Sequence, residues 1–235
     1  SRITWQDAHL AARMPGILEL SVLINKPDII DKKITGIISN SVSNIIKFNE
    51  NLGNKVYIIS YFNVQNMNEG IVEDFLNAKK NEDMLPDALK TLNINSKILS
   101  KNICELSTSE KIKLLIVNAL LKNYEVIYFD NILPCLDSSS RTRLYKLIIK
   151  LKKFQNKTIL ISDINIDNIF EFVDNLIIVS DTIINGNKYD VFPCDIINNP
   201  ITLTLRDKIL ENKNIDIGKV DSVNELIKAI YREIR

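Results

Sequence analysis

Cysteine is scarce and scattered in this sequence: Cys104, Cys135 and Cys194 are the three, and none stands in a CxxC pair. Such spacing suggests neither a cysteine zinc cluster nor a disulfide framework, and it suits a reduced, cytosolic setting. An excess of one charge is lacking too. Lys and Arg number 30, Asp and Glu 29, and the formal net charge is +1. That balance implies no strong attraction to nucleic acid or to an anionic membrane. No apolar run reaches the about 18 residues that a membrane-crossing helix needs, and no stretch has the pattern of a signal peptide. Glycine is missing where it would matter most for binding phosphate, with none between Gly36 and Gly53.

What is present is a globular profile. Of the 235 residues 46% are hydrophobic and 25% charged, enough for one or two packed domains. The first twenty residues depart from the rest. They hold the only His and the only Trp, with three of seven alanines and two of seven arginines. Residues 1–19 are read as an expression-derived or atypical N-terminus and left out of the fold argument. His9 is then an incidental surface residue.

From residue 20 the chain reads as alternating strands and helices. "LSVLIN" (20–25), "KITGIIS" (33–39) and "KVYIISYF" (55–62) are strand-like, with "NIIKFNENL" (44–52) a helix between the last two. Residues 66–106 are polar and helical, and Pro86 starts a short helix there. "STSEKIKLLIVNALLKN" (107–123) has a capping box, Ser107 with Glu110 three residues on, ahead of apolar residues at helical spacing. "VIYF" (126–129) and "KTILIS" (157–162) are buried strands on either side of an amphipathic helix (138–154). "NIDNIFEFV" (165–173) reads as a helix. "NLIIVSD" (175–181) and "TIINGNKYDVF" (182–192) read as a hairpin. The tail, 221–234, is a last amphipathic helix with a second capping box, Ser222 and Glu225. Strands alternating with helices after residue 107 predict an α/β fold with a mostly parallel sheet.

The order of four segments resembles the ATP-binding cassette ATPases. "ITGIISNSVSNIIK" (34–47) stands where that family has its Walker A loop. "LSTSEK" (106–111) resembles the signature LSGGQ, and "VIYFDNILPCLD" (126–137) resembles the Walker B strand with its D-loop. "KTILISDI" (157–164) resembles the strand that ends in the switch histidine. Residues 199–230 resemble the C-terminal extension of energy-coupling factor transporter ATPases. The resemblance implies a P-loop NTPase-like core over 20–192 with an inserted helical subdomain at about 66–122. It also implies a C-terminal extension, 193–235, acting as a dimerisation element. ATP and Mg2+ would be the cofactors, weakly held or absent in this subunit. A second cassette subunit would make a homo- or heterodimer, and a membrane transporter subunit would hold it at the inner face of the membrane.

The chemistry of those segments is eroded. A P-loop works because glycines let backbone N–H groups curl around phosphate, a Lys reaches the β and γ oxygens, and a Ser/Thr hydroxyl holds magnesium. Here Ser39 and Ser43 lie in the loop, but the Lys position falls on Ile45 and the hydroxyl position on Ile46. Lys47 lies two residues further on, about 200° around the helix, and points elsewhere. Asp130 ends the Walker B-like strand, either as a magnesium ligand or as a strand-end cap. The following glutamate is replaced by Asn131, which has no basic carboxylate. The switch position carries Asp163, whose charge would repel a γ-phosphate. Ser107 can meet an anion at the helix N-terminus or serve only to cap the helix, while Thr108 and Ser109 replace two glycines of the family's signature and add bulk where the backbone must approach phosphate. Asp137 matches the D-loop aspartate. The magnesium-sensing glutamine is Asn63 by alignment or Gln65 by identity. Three functions fit: a hydrolysis-deficient cassette subunit paired with an active one, a weak magnesium-dependent ATPase with displaced groups, and a scaffold that kept only the fold.

Overall fold

In the computed structural model, the residues described are 32–50, 52, 56–181 and 183–233. The expected strand at 20–25 and residues 1–19 lie outside them. The first strand is β1 (Ile34–Ile38), followed by α1 (Val42–Glu50) and β2 (Val56–Ser60). Three short helices come next: α2 (Tyr61–Asn66), α3 (Val72–Phe75) and α4 (Leu85–Thr91). The core then continues through α5 (Thr108–Leu121), β3 (Val126–Asp130), α6 (Ser138–Gln155) and β4 (Thr158–Ser162). β5 (Asn175–Val179) and β6 (Ile183–Asn187) form the hairpin, and α7 (Ile201–Lys213) and α8 (Val223–Glu233) close the described chain.

One sheet holds six strands in the order β2-β3-β4-β1-β5-β6. All neighbours are parallel except β5 and β6. The alternation along each strand divides the core in two. Ile127 and Phe129 of β3, with Ile159 and Ile161 of β4, join the large core that also contains Leu114, Val117, Leu144 and Ile148 of α5 and α6. Tyr128 and Leu160, one residue out of phase, join Ile37 and Phe48 in a smaller core that covers the opposite face. A sheet packed on both faces explains why its inner strands read as continuous apolar runs.

Several boundaries differ from those the sequence suggests. β2 ends at Ser60, not 62, because Ser60 and Asn63 form a capping box and turn the chain into α2. Residues 165–173 hold only a 3₁₀ turn at Ile166–Asn168, since the Asn165 side chain accepts from the Asp167 N–H and starts a tighter turn. α7 follows Pro200, a residue that sequence marks only as a break. The Ser222 box is shifted: Ser222 Oγ accepts from Glu225 N–H at 3.3 Å, but the Glu225 carboxylate takes the N–H of Asp221 at 3.0 Å. Glycine scarcity is met by asparagine. Seven non-glycine described residues have positive φ, and six of them are Asn77, Asn93, Asn123, Asn131, Asn156 and Asn214. Asparagine tolerates the left-handed region best among such residues, so five of the six follow helices here where glycine commonly does, and Asn131 follows β3.

Candidate functional site

The reversal of strand order falls at β1, whose neighbours β4 and β5 come from later in the chain. Crevices at the carboxyl ends of strands beside such a reversal are where open α/β sheets bind ligands. Asp130 and Ser162 end β3 and β4 there and are register partners. Both lie on the sheet face that α1 covers, in phase with Tyr128 and Leu160.

These residues form one buried polar network. Asp130 Oδ1 accepts from the Tyr128 hydroxyl at 3.1 Å and from Ser162 Oγ at 3.0 Å. Its Oδ2 accepts from Asn49 Nδ2 of α1 at 2.9 Å. Burial pushes the Asp130 carboxyl up from its ordinary pKa, and the donors from Ser162, Tyr128 and Asn49 oppose that shift. The Tyr128 phenol is also raised well above its usual range, first by burial and then by the charge of Asp130. Asn49, Tyr128 and Ser162 are absent from the sequence-based candidates. The alternation of Tyr128 with Asp130 pointed to the first contact, whereas the other two depend on register and helix packing.

Asn131 follows with φ of 47°, its N–H donating to Ser162 Oγ at 2.9 Å. Its side chain is exposed, and an amide neither takes nor gives a proton at neutral pH. Asp163 is 3% exposed. Its Oδ1 accepts from Asn165 N–H at 2.8 Å and Asn168 Nδ2 at 3.1 Å, while Oδ2 has no partner. Burial raises its pKa, against those hydrogen bonds and the Arg141 guanidinium.

The loop from β1 to α1 closes over this network. Ser39 Oγ donates to the Val179 carbonyl at 2.6 Å, and Ser41 and Ser43 hydroxyls lie 2.7 Å apart. Ile45 packs on the smaller core and Lys47 is exposed. Val42, Ile45, Ile46 and Ile164 stand with Asp130 and Asp163 around a recess of about 40 Å³. Its lining carries no cation to meet a phosphate, only the hydroxyls of Ser39, Ser41 and Ser162, the Asn131 amide, the two acids and apolar side chains. Groups of three or more His, Cys, Asp or Glu able to hold a metal are absent among the described residues.

The remaining candidates lie apart from the recess. Gln65 is exposed on α2, and the Asn63 side chain is used in the Ser60 cap. Ser107 caps α5: its Oγ accepts from Glu110 N–H at 3.3 Å, and Glu110 accepts from Ser107 N–H at 2.9 Å. Asp137 caps α6, taking the Ser140 N–H at 2.7 Å. Those bonds, that from the Ser140 backbone foremost, hold the Asp137 carboxyl below its usual range. Ser109 Oγ donates to Ser140 Oγ at 3.2 Å, which joins the two capped helix starts.

No established family profile matches the chain. It is 30% identical over 135 residues to the zinc import ATP-binding protein ZnuC of Ehrlichia chaffeensis, covering 55% of this chain and 54% of that protein. It is 30% identical over 132 residues to the energy-coupling factor transporter ATP-binding protein EcfA1 of Fusobacterium nucleatum, covering 55% and 49%. The chain thus aligns with about half the length of these relatives. Among solved structures it resembles CbiO1 of Clostridium perfringens, part of an ABC transporter complex. The TM-score is 0.57 at 18% identity, over 78% of this chain and 85% of that one. The fold is therefore the P-loop NTPase type expected from the sequence.

Proposed function

Because the chain is related in sequence to the ATP-binding cassette ATPases and shares their fold, we propose that it is a hydrolysis-deficient cassette subunit of a membrane transport complex. It pairs with a catalytic cassette, presents the capped start of α5 to the nucleotide held by that partner, and uses the C-terminal helices in the pairing. The observation that supports this reading is the lining of the recess: Ile45 and Ile46 face it and no cation does, and alignment with the family puts a phosphate-binding Lys and a magnesium-holding hydroxyl at those two positions. Neither replaces the charge of an ammonium, and the two acids facing the recess have raised pKa values that burial explains. The residues present do not fit a magnesium triphosphate, so no hydrolytic step is assigned to them. Asn131 supplies no base for water.

Calorimetry with MgATP, at concentrations that detect millimolar affinity, tests the first half. The expected result is no binding heat from folded protein. One-site binding would overturn it. Co-expression with a catalytic cassette of the zinc-import or energy-coupling factor type tests the second half, with a stable heterodimer expected. Only monomer or self-dimer would sink the pairing.

The unpartnered Oδ2 of Asp163 beside Asp130 favours one other reading, a weak magnesium-dependent ATPase using both acids. It requires turnover that Asp130→Ala removes.

A further inference from the structure

A second cavity, of about 270 Å³, lies between the start of α5, the middle of α6 and the residues just after α4. It is distinct from the recess around Asp130. Its walls are apolar: Leu92, Ile112, Leu136, Leu144 and Leu147 line it. Its rim is basic, with Lys113, Arg143, Lys146 and Lys150. Arg143, Leu144, Leu147 and Lys150 fall on one face of α6, at the three- and four-residue spacing that brings helical side chains together. No Asp or Glu is among the lining residues. Two acids outside the lining interact with these cations, Glu110 with Lys113 and Asp137 with Arg143.

One end of the cavity is already ordered. Arg143 Nη2 donates to Ser139 Oγ and Ser140 Oγ, each at 3.0 Å, and Ser140 is 8% exposed. Toward the other end Lys150 Nζ donates to the Thr91 carbonyl at 2.5 Å. Seven residues of helix, about 10 Å, separate Arg143 from Lys150. An apolar floor of that length with a fixed guanidinium at one end is complementary to a molecule that is apolar along its body and anionic at its head.

We propose that this cavity binds a small amphipathic organic anion, with its head on Arg143 and Lys146 and its body along Leu144 and Leu147. The volume is just under the roughly 300–1,000 Å³ of ordinary small-molecule sites, so the ligand is small. The head would use charge-assisted hydrogen bonds, which are roughly twice as strong as neutral ones. The stem of Lys150, whose ammonium is held on the Thr91 carbonyl, covers the far end of the body. Ser109 and Ser140 join the starts of α5 and α6 at the same end of the cavity, so occupancy would be felt at both. The proposal does not depend on whether the chain binds nucleotide.

The test is titration of the full chain with octanoate, followed by calorimetry and by amide NMR shifts. Octan-1-ol and octylammonium serve as probes of the same length without the negative charge. Saturable one-to-one octanoate binding is expected, with shifts confined to residues 91–93, 109–113 and 136–150. The Arg143→Gln/Lys146→Gln double variant should bind about tenfold more weakly, a loss of about 1.4 kcal/mol. Octylammonium should not bind. Leu147→Trp, which fills the cavity and leaves the charges, should remove binding while circular dichroism shows the fold retained. Absence of saturation overturns the proposal. So does equal affinity for octylammonium, or binding unchanged in both variants.

Discussion

Lys188, just beyond β6, holds its ammonium 2.5 Å from the carboxylate of Asp221 in the turn before α8. The Tyr189 hydroxyl donates to the same Asp221 carboxylate. Lys188 is also bonded to the Phe170 carbonyl at 3.0 Å and lies 5.0 Å from the centre of the Phe170 ring. These contacts tie the C-terminal helices to the sheet edge. Removing one partner of a buried pair leaves the other charge uncompensated. Since the Asp221 side chain is 38% exposed, Asp221→Ala is expected to lower stability by about 1–2 kcal/mol rather than the full value for a buried pair. Hydrogen exchange should quicken first in residues 223–233. Unchanged exchange there would show that α8 is held by its apolar contacts alone.

Gly36, in the middle of β1, has no space for a side chain. A Cβ there would lie 2.8 Å from Ile169 Cδ1 and from Leu176 Cδ2, and 3.1 Å from Val173 Cγ1. Gly36→Ala is expected to destabilise by about 1–3 kcal/mol through overpacking. Urea unfolding measures it. The paired change Gly36→Ala with Val173→Ala should recover part of the loss, and failure to do so would place the strain on Ile169 and Leu176.

Asp130 is a carboxylate whose native pKa is raised by burial. The native state therefore holds this proton more tightly than the unfolded chain does. Its contribution to stability is fully present below the unfolded pKa and is lost as pH rises through the native one. Asp130→Asn removes that dependence. The Asn49 amide can flip to offer its unpartnered Oδ1 to the new donor. The variant should be at least as stable as wild type at pH 7, with an advantage that shrinks as pH falls toward the native pKa. Chemical unfolding at pH 7 and at pH 4 checks this, and a loss at pH 7 would show that the hydrogen bonds outweigh burial.

Glu110 behaves in the opposite sense. Hydrogen bonds from Ser107, its backbone N–H first, lower its pKa. Its contribution is present above the unfolded value and disappears as pH falls through the native one. Ser107→Ala is expected to remove about 1 kcal/mol of helix-capping stability. In that variant the part of the acid sensitivity due to Glu110 should fall as well. An unaltered pH profile would mean that the Ser107 backbone N–H, which the variant keeps, and the Lys101 and Lys113 charges hold Glu110 without the hydroxyl.

The sheet and the caps were legible because each rests on local pattern. β3, β4 and β5 are apolar runs with buried faces, and Ser107 with Glu110 announced the start of α5 in four residues. α7 was not legible, because its apolar positions are few and Pro200 reads equally as a stop or a start. The end of β2 was missed although Ser60 and Asn63 carry the spacing of a capping box, with Asn in the place of Glu or Gln. Ile45 at the position of a phosphate-binding Lys is an expectation from one alignment. The network around Asp130 was not legible, because the contact of Asn49 with Asp130 spans 81 residues and that of Ser162 with Asp130 spans 32. The basic-rimmed cavity has a local trace in α6, but its floor comes from three separate segments.

The six left-handed asparagines have a consequence for the unfolded chain. Glycine at those bends would roam freely when unfolded and lose that freedom on folding. Asparagine starts from a narrower set of conformations, so each joint surrenders less entropy, offset in part by the steric cost of its Cβ in the folded bend. The chain therefore reaches its native state with hinges that are already partly set. A loop meant to curl its backbone around phosphate would need hinges of the opposite kind.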